Sequence, residues 1–260
     1  MANEVATKDS FTVALTDKLN EVSDALPRDL NVPRFIQNAI AVTQGNETLM
    51  NFAKKNSDGG RQILNGMMKG AYLGLDFANS ESYLIPYGNK LDFMISYRGN
   101  IKLCKKYSIR KIKDIYAKLV REGDFFEEVI TNGEPSINFK PKPFNDGEIQ
   151  GAFAVCLFED GGMIYDTMSV ADLENTRKQS KSKNSPAWSS FKGQMYLKVV
   201  LKRLCKHIEI DFDNINQTQV FQEDMAVETN IEEQVASEIS ENANSEEFVV
   251  AEDVTEGGEG

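Results

Sequence analysis

Two groups of cations set the chemistry open to this sequence. Arg98, Lys102, Lys105 and Lys106 recur at i, i+4, i+7 and i+8, a spacing that puts four positive side chains along one side of a helix. Lys198, Lys202 and Lys206 repeat at i, i+4 and i+8 on a second helical stretch, with Arg203 beside Lys202. Between the two, Lys111, Lys113 and Lys118 continue the charge, and Asp114 is the only acid from Arg98 to Lys118. From Arg177 to Lys206 there are nine basic residues and no acid. A merely solvated face mixes signs. One-sign stretches with Tyr97 and Trp188 close by point instead to a surface that neutralises phosphates and offers aromatic rings to bases. The candidate nucleic-acid contacts are Tyr97, Arg98, Lys102, Lys105, Lys106, Lys111, Trp188, Lys198, Lys202 and Arg203. Trp188, at a helix start, is as well suited to anchoring a core as to stacking on a base.

Bond-making chemistry has little support. There is no GxxxxGK[ST] phosphate loop and no GxGxxG opening a helix, so neither nucleotide hydrolysis nor dinucleotide binding is indicated. His207 is the single histidine, one residue past a basic helix, where it reads as a helix-end charge partner rather than a relay. Asp92, Asp114 and Asp166 could hold Mg²⁺ for a nuclease in principle, but lack paired spacing. Cys104, Cys156 and Cys205 are odd in number and widely spaced, which suggests neither a disulfide framework nor a zinc site and fits a reducing cytoplasm. We expect no catalytic residue, no metal site and no resident cofactor.

The elements that must position the cations can be read from period and punctuation. Tyr83–Tyr87 and Lys90–Ile95 are β-prone runs parted by Gly88-Asn89, a pair suited to a tight hairpin turn, and Leu91, Phe93 and Ile95 share one sheet face. Tyr97–Tyr107 then turns helical, with Ile101 and Cys104 inward. Ile115, Ala117 and Leu119 alternate as in a half-buried strand. Upstream, Phe11, Leu15, Leu19 and Val22 outline an amphipathic helix ended by Pro27. Pro33 opens a helix that Gly45 closes, Glu47–Lys55 is helical, and Ile63, Leu64, Met67, Met68 and Ala71 form a core stripe ending near Gly74. Downstream, Phe125–Ile130, Ser136–Lys140, Gln150–Phe158 and Met163–Met168 read as strands of an antiparallel meander. Ser169 and Asp172 have capping-box spacing, Lys178–Ser185 is a basic loop, and one helix is expected from Pro186 to Lys206. The fold class is α+β: a central, mostly antiparallel sheet with hairpins and packed helices.

Charge divides the chain. The net charge of −11 over 260 residues hides an acidic end: 16 of the 40 acids follow Lys206 and no Lys or Arg does, which leaves the first 206 residues at +5. Residues 1–30 read as an N-terminal helix for packing or subunit contact, 31–212 as the basic core that carries the candidate contacts and 213–260 as an acidic, disordered tail, with Phe248-Val249-Val250 an apolar island in it. Such a tail competes with polyanions for a basic body. No apolar run reaches the length that spans a bilayer, and Met1–Ser10 lacks a signal-peptide core, so a soluble cytoplasmic protein is expected.

In order along the chain, LIPYGNKLDFMISYRGNIKLCKKYS with its Tyr97-Arg98-Gly99, GDFFEEV, the Pro141/Pro143 segment, GAFAVCLFEDGG, DTMSVADLENTRKQS, SPAW and MYLKVVLKRLCKH resemble the RecT family of phage and prophage single-strand annealing recombinases, over roughly Arg34 to Asp211. Tyr196-Leu197 departs from that pattern, where smaller or more polar residues are expected, and bears on local packing. The resemblance implies ATP-independent binding of single-stranded DNA, pairing with a complementary strand, and a homo-oligomeric ring or helical filament that holds the nascent duplex. It also implies a partner exonuclease, contact with a host single-strand-binding protein, a bacterial cytoplasmic setting, and Mg²⁺ acting by screening phosphates or shaping the complex. The competing readings are a passive single-strand coat protein and a metal-dependent nuclease.

Overall fold

The computed structural model describes residues 2–180, 183–184 and 186–225. Parts of the basic loop at 181, 182 and 185, and the acidic stretch from 226 with its Phe248-Val249-Val250 island, lie outside the described residues.

Among the described residues four α-helices and one 3-10 turn (Ser23–Ala25) precede the first strand: α1 (Ala2–Glu21), α2 (Val32–Gln44), α3 (Glu47–Lys55) and α4 (Gly59–Leu73). Local chemistry sets their ends. Asn31 accepts from the Arg34 backbone with Pro33 in the first turn of α2, Asn46 accepts from Thr48 and Leu49 at the start of α3, and Gly74 closes α4 in the left-handed region. Leu15 and Leu19 of α1 are buried with Ile63, Met67 and Ala71 of α4 in one apolar cluster, so α1 packs within its own chain. The hairpin of β1 (Ser82–Tyr87) and β2 (Lys90–Ile95) adds Leu84, Leu91 and Phe93 to that cluster, in the register that the Gly88-Asn89 turn dictates.

The second cluster is built on a three-stranded antiparallel sheet. Strand β3 (Ile112–Arg121) pairs with β6 (Ile149–Phe158), which pairs with β7 (Met163–Ser169). Ile115, Ala152, Ala154, Cys156 and Met168 face α8 (Lys192–Cys205), whose Tyr196, Val200, Leu201 and Leu204 close that core. The meander expected from strand order is not what forms. β4 (Phe125–Thr131) and β5 (Glu134–Lys140) pair only with each other, as a hairpin excursion between β3 and β6. Asp124 clasps the stem of this excursion, accepting from the Arg121 and Lys142 backbones and from the Asn145 side chain. Phe126 and Phe139 then lay the hairpin against Phe153 of β6.

Helix α5 (Tyr97–Tyr107) is the seam between the clusters. Leu103 and Tyr107 pack with Leu73, Leu75 and Ile95 on the helical side, whereas Cys104, Tyr97 and Ile101 pack into the sheet core. Helix α6 (Val170–Gln179) starts at the expected Ser169/Asp172 capping box. The single helix expected from Pro186 to Lys206 is two, α7 (Pro186–Ser190) and α8, broken at exposed Phe191, whose backbone leaves helical geometry. The break lets α8 begin beside Gly193, where a Cβ would come within 2.8 Å of the Leu119 side chain of β3.

A last helix, α9, covers residues 215–225. Hydrophobic periodicity fades after Asp213, yet Val220 is buried beside Leu73, Ile95 and Leu103 and Gln217 is fully buried, so the folded body runs past the expected boundary at residue 212. One compact unit spans Met1–Asp224. Gln217 explains how a polar stretch stays folded: its amide donates to the Tyr107 hydroxyl at 3.1 Å and accepts from the Asp213 backbone at 2.9 Å.

Candidate nucleic-acid interface

The cations of α5 and α8 reach the surface on two packed helices, and the structure sorts them by their partners. Lys102 donates to Glu81 at 2.7 Å and to the Gly74 carbonyl at 2.8 Å, tying α5 to the end of α4. Lys105 pairs with Asp114 of β3 at 3.0 Å, and Lys106 pairs with Asp29. Lys202 lies 3.6 Å from Asp224 of α9, whose other oxygen accepts from the Ile95 backbone at 2.9 Å. Arg203 meets Asp166 of β7 at 2.9 Å, with His207 3.8 Å from the same oxygen. Burial pushes the Asp166 carboxyl above its ordinary range, against the pull of Arg203 and His207.

Three of the expected cations carry no acidic partner among the described residues: Arg98, Lys198 and Lys111. Two of these converge. The Arg98 guanidinium and the Lys198 ammonium each lie 5.9 Å from the centre of the Tyr97 ring, and Arg98 Nε donates to the Tyr97 hydroxyl at 3.2 Å. One half-buried aromatic ring is thus flanked by an exposed cation from α5 and an exposed cation from α8. Each cation–π contact contributes about 0.5–1 kcal/mol at an exposed site, enough to orient the charges and too little to neutralise them.

The start of α5 fixes this cluster. The Ser96 hydroxyl caps the helix, accepting from the Arg98 and Gly99 backbones at 3.1 Å, and donates to the Ser80 carbonyl at 2.7 Å. Gly99 is there because nothing larger fits: a Cβ would lie 2.2 Å from the Glu81 carbonyl oxygen. Tyr97-Arg98-Gly99 therefore points Arg98 outward, leaves Tyr97 half-buried at the edge of the sheet core and seats the third position against Glu81, the residue before β1.

Trp188 is placed differently from the other candidates. It is 3% exposed in the sheet core, at 6.4 Å from the Tyr196 ring and with Arg177 over its face at 5.8 Å. Exposing an indole of roughly 200 Å² at about 25 cal/mol per Å² costs about 5 kcal/mol. Stacking on one base returns about 1–3 kcal/mol, so the packed position is favoured. Tyr196, where the sequence departs from the family pattern, is fully buried and gives its hydroxyl to Glu174 at 2.5 Å. That hydroxyl and Lys192 at 2.9 Å hold the Glu174 carboxyl down at about 2 and join α6 to α8.

Sequence reading missed the acids that close the cationic faces. Asp29, Glu81, Asp166 and Asp224 come from four distant segments, and no one-dimensional count brings them to α5 or α8. Only Asp114, nine residues from Lys105, was within view along the chain.

Among the described residues no helix is long and apolar enough to cross a membrane, and no cluster of three or more histidine, cysteine or acidic side chains is placed to hold a metal. Residues 33–237 match the RecT family. Over 210 residues the chain is 28% identical to Protein RecT of Escherichia coli (strain K12), a match that covers 74% of this chain and 72% of that protein. The matched span contains both helices of the Tyr97 cluster and the hairpin that leads into them. The chain belongs to the RecT family, a family of phage-type recombination and strand-annealing proteins.

Proposed function

We propose that this protein holds single-stranded DNA along the α5–α8 face, centred on Tyr97 between Arg98 and Lys198, and pairs it with a complementary strand without nucleotide hydrolysis. The observation that carries the reading is the convergence of two uncompensated cations from separate helices on one aromatic ring. Cations that face solvent neutralise phosphates, and release of condensed counterions gives affinity without sequence preference. Tyr97 supplies a face for one base, and the remaining Watson–Crick edges stay free to test a second strand. Matched pairing then provides the free energy, so no bond is made or broken in the protein.

The paired cations form a second tier. Lys105–Asp114 is an exposed pair worth about 0–1 kcal/mol, so a phosphate can replace the carboxylate at little cost. Lys202, with its partner Asp224 buried, exchanges less readily. In this reading Lys111 extends the phosphate path beyond α5, Mg²⁺ acts as a phosphate screen, and repeated subunits in a ring or filament lengthen the paired tract. The protein works in the bacterial cytoplasm with an exonuclease that exposes single strands and beside the host single-strand-binding protein.

The test is the annealing rate of two dye-labelled complementary oligonucleotides without ATP, read beside a denaturing gel and a salt titration of single-strand affinity. The parent protein accelerates pairing with strands intact. Arg98→Ala/Lys198→Ala removes two phosphate contacts and lowers the slope of log affinity against log salt by about 1.4 at about 0.7 per contact. Binding without faster pairing means a coat protein, shortened strands mean a nuclease, and an unchanged slope removes this face from the interface.

A further inference from the structure

The β4–β5 hairpin reaches past the sheet it covers. Its inward face is a ladder of three rungs, because β4 and β5 pair Phe126 with Phe139, Glu128 with Ile137 and Ile130 with Pro135, and alternate residues share a face. The first rung lies on Phe153 of β6, with ring centres 5.2 and 5.0 Å away. At the second, burial and the neighbouring Glu128 carboxylate raise the Tyr165 phenol of β7. The strand order is β3-β6-β7, so β7 is the last strand in that direction. The third rung therefore has no strand beneath it among the described residues: Ile130 is 72% exposed, and Pro135 is exposed opposite it.

The opposite edge of the same face has the reverse shortage. Tyr116 and Lys118 of β3 alternate with Ile115, Ala117 and Leu119, which pack toward α8, so both stand on the hairpin's side of the sheet. Tyr116 is 38% exposed, in register with buried Val155, and Lys118 is exposed, in register with Phe153. The hairpin crosses toward β7 and leaves both open. Charge differs between the two edges as well. From Asp124 to Phe139 the chain carries Asp124, Glu127, Glu128 and Glu134 and no Lys or Arg. Lys118 has no acidic partner among the described residues, and Asp114, on its side of β3, is neutralised by Lys105. Lysine on an edge strand deters uncharged strands, and an acidic, apolar hairpin is the neighbour it admits.

We propose that the Ile130/Pro135 rung of one copy seats on Tyr116 and Lys118 of the next, so that copies join β7 edge to β3 edge, head to tail. The proposal rests on the reading of repeated subunits and deepens it by naming the two surfaces and the direction of growth. Donor and acceptor are different patches of one chain, which makes the contact heterologous. Each copy at an end keeps one patch free, and the rotation between copies decides whether the series closes or runs on. A polyanion does not suit the donor, whose charges are carboxylates, and the same chain already carries the complementary half. The contact uses the face of the sheet turned away from α8. It leaves the Tyr97 cluster open in every copy and sets successive clusters on one side of the row, where a single strand can pass from one to the next.

The experiment uses the full chain and reads mass by light scattering over a concentration series, beside affinity for an oligonucleotide short enough to occupy one copy. The parent is expected to grow beyond a pair. Ile130→Asp spoils the donor, and Tyr116→Asp or the exposed Lys118→Glu spoils the acceptor. Each raises the concentration needed for assembly at least about tenfold, the loss expected when an apolar contact or a charge match is denied. Affinity for the short oligonucleotide and the thermal midpoint stay at the parent values. Donor and acceptor variants are then mixed one to one: each retains the patch the other lacks, so the mixture forms pairs and nothing longer. A mixture without pairs, or Ile130→Asp assembling as the parent does, overturns the contact while the parent's own assembly keeps the repeated-subunit reading. A parent that stays monomeric at every concentration, with or without the oligonucleotide, overturns both. Arg98→Ala/Lys198→Ala assembles like the parent, and parent affinity in that variant sinks the first-strand reading without touching the contact.

Discussion

At the scale of single residues, Tyr97-Arg98-Gly99 divides one job three ways. Two side chains make the exposed cluster and the absence of a third lets the helix start sit on the Glu81 carbonyl. A backbone oxygen cannot turn aside as a flexible side chain can, so Gly99→Ala must shift the helix. The expected cost is about 3 kcal/mol, the upper end of overpacking, which lowers the thermal midpoint by about 6–12 °C in a protein of this size. Gly60→Ala in the first turn of α4 meets nothing within 4 Å and is the control, expected to hold or raise the midpoint in the same scan. Arg98 and Lys198 differ from their neighbours in the same sense: what each lacks, an acid within reach, is what makes it available.

At the scale of elements, the Tyr97 cluster is made by the contact of α5 with α8, and α6 is joined to α8 through Glu174. The Glu174 carboxyl is held at about 2 by the Tyr196 hydroxyl and Lys192, below its ordinary value of 4.5. A depressed carboxylate contributes stability above its unfolded value and loses it as pH falls toward the folded one. Between about pH 4.5 and pH 2 the parent therefore loses more stability than Glu174→Gln, measured as the shift in urea midpoint across that window. Most of these elements were legible in the sequence. Pro33, Gly74, the Gly88-Asn89 turn and the Ser169/Asp172 box each act on their own few residues, and the α5 and β2 bounds follow from them. The β4–β5 excursion was not legible as such, because pairing partners are chosen by Asp124 and three phenylalanines across the fold. The break at Phe191 was hidden by good helical periodicity on either side. The ten candidate contacts could be proposed from residue type and spacing, but which cations remain uncompensated depends on acids that arrive from other segments.

At the scale of the whole molecule, α9 makes residues 215–225 part of the body rather than of the acidic end. Val220, Gln217 and Asp224 are buried, and each touches α5, β2 or the residues between α4 and β1. A chain ended after Asp213 loses these contacts and exposes Leu73, Ile95 and Leu103, so its urea midpoint falls clearly below that of the full chain. A chain ended after Met225 keeps them and unfolds at the full-chain midpoint. The three cysteines lie inside the same body, all buried and unpaired. Hydrogen bonding to Cys205 together with burial pushes the Cys104 thiol far up, and burial pushes Cys156 to about 11, so the thiolates that react with maleimides are scarce. All three native thiols are buried, which leaves the surface chemically silent. A single cysteine introduced at the exposed Asn132-Gly133 tip of the β4–β5 hairpin can carry a dye, with the three natural thiols left in place as packing, and strand pairing can be followed from a fixed point on the protein.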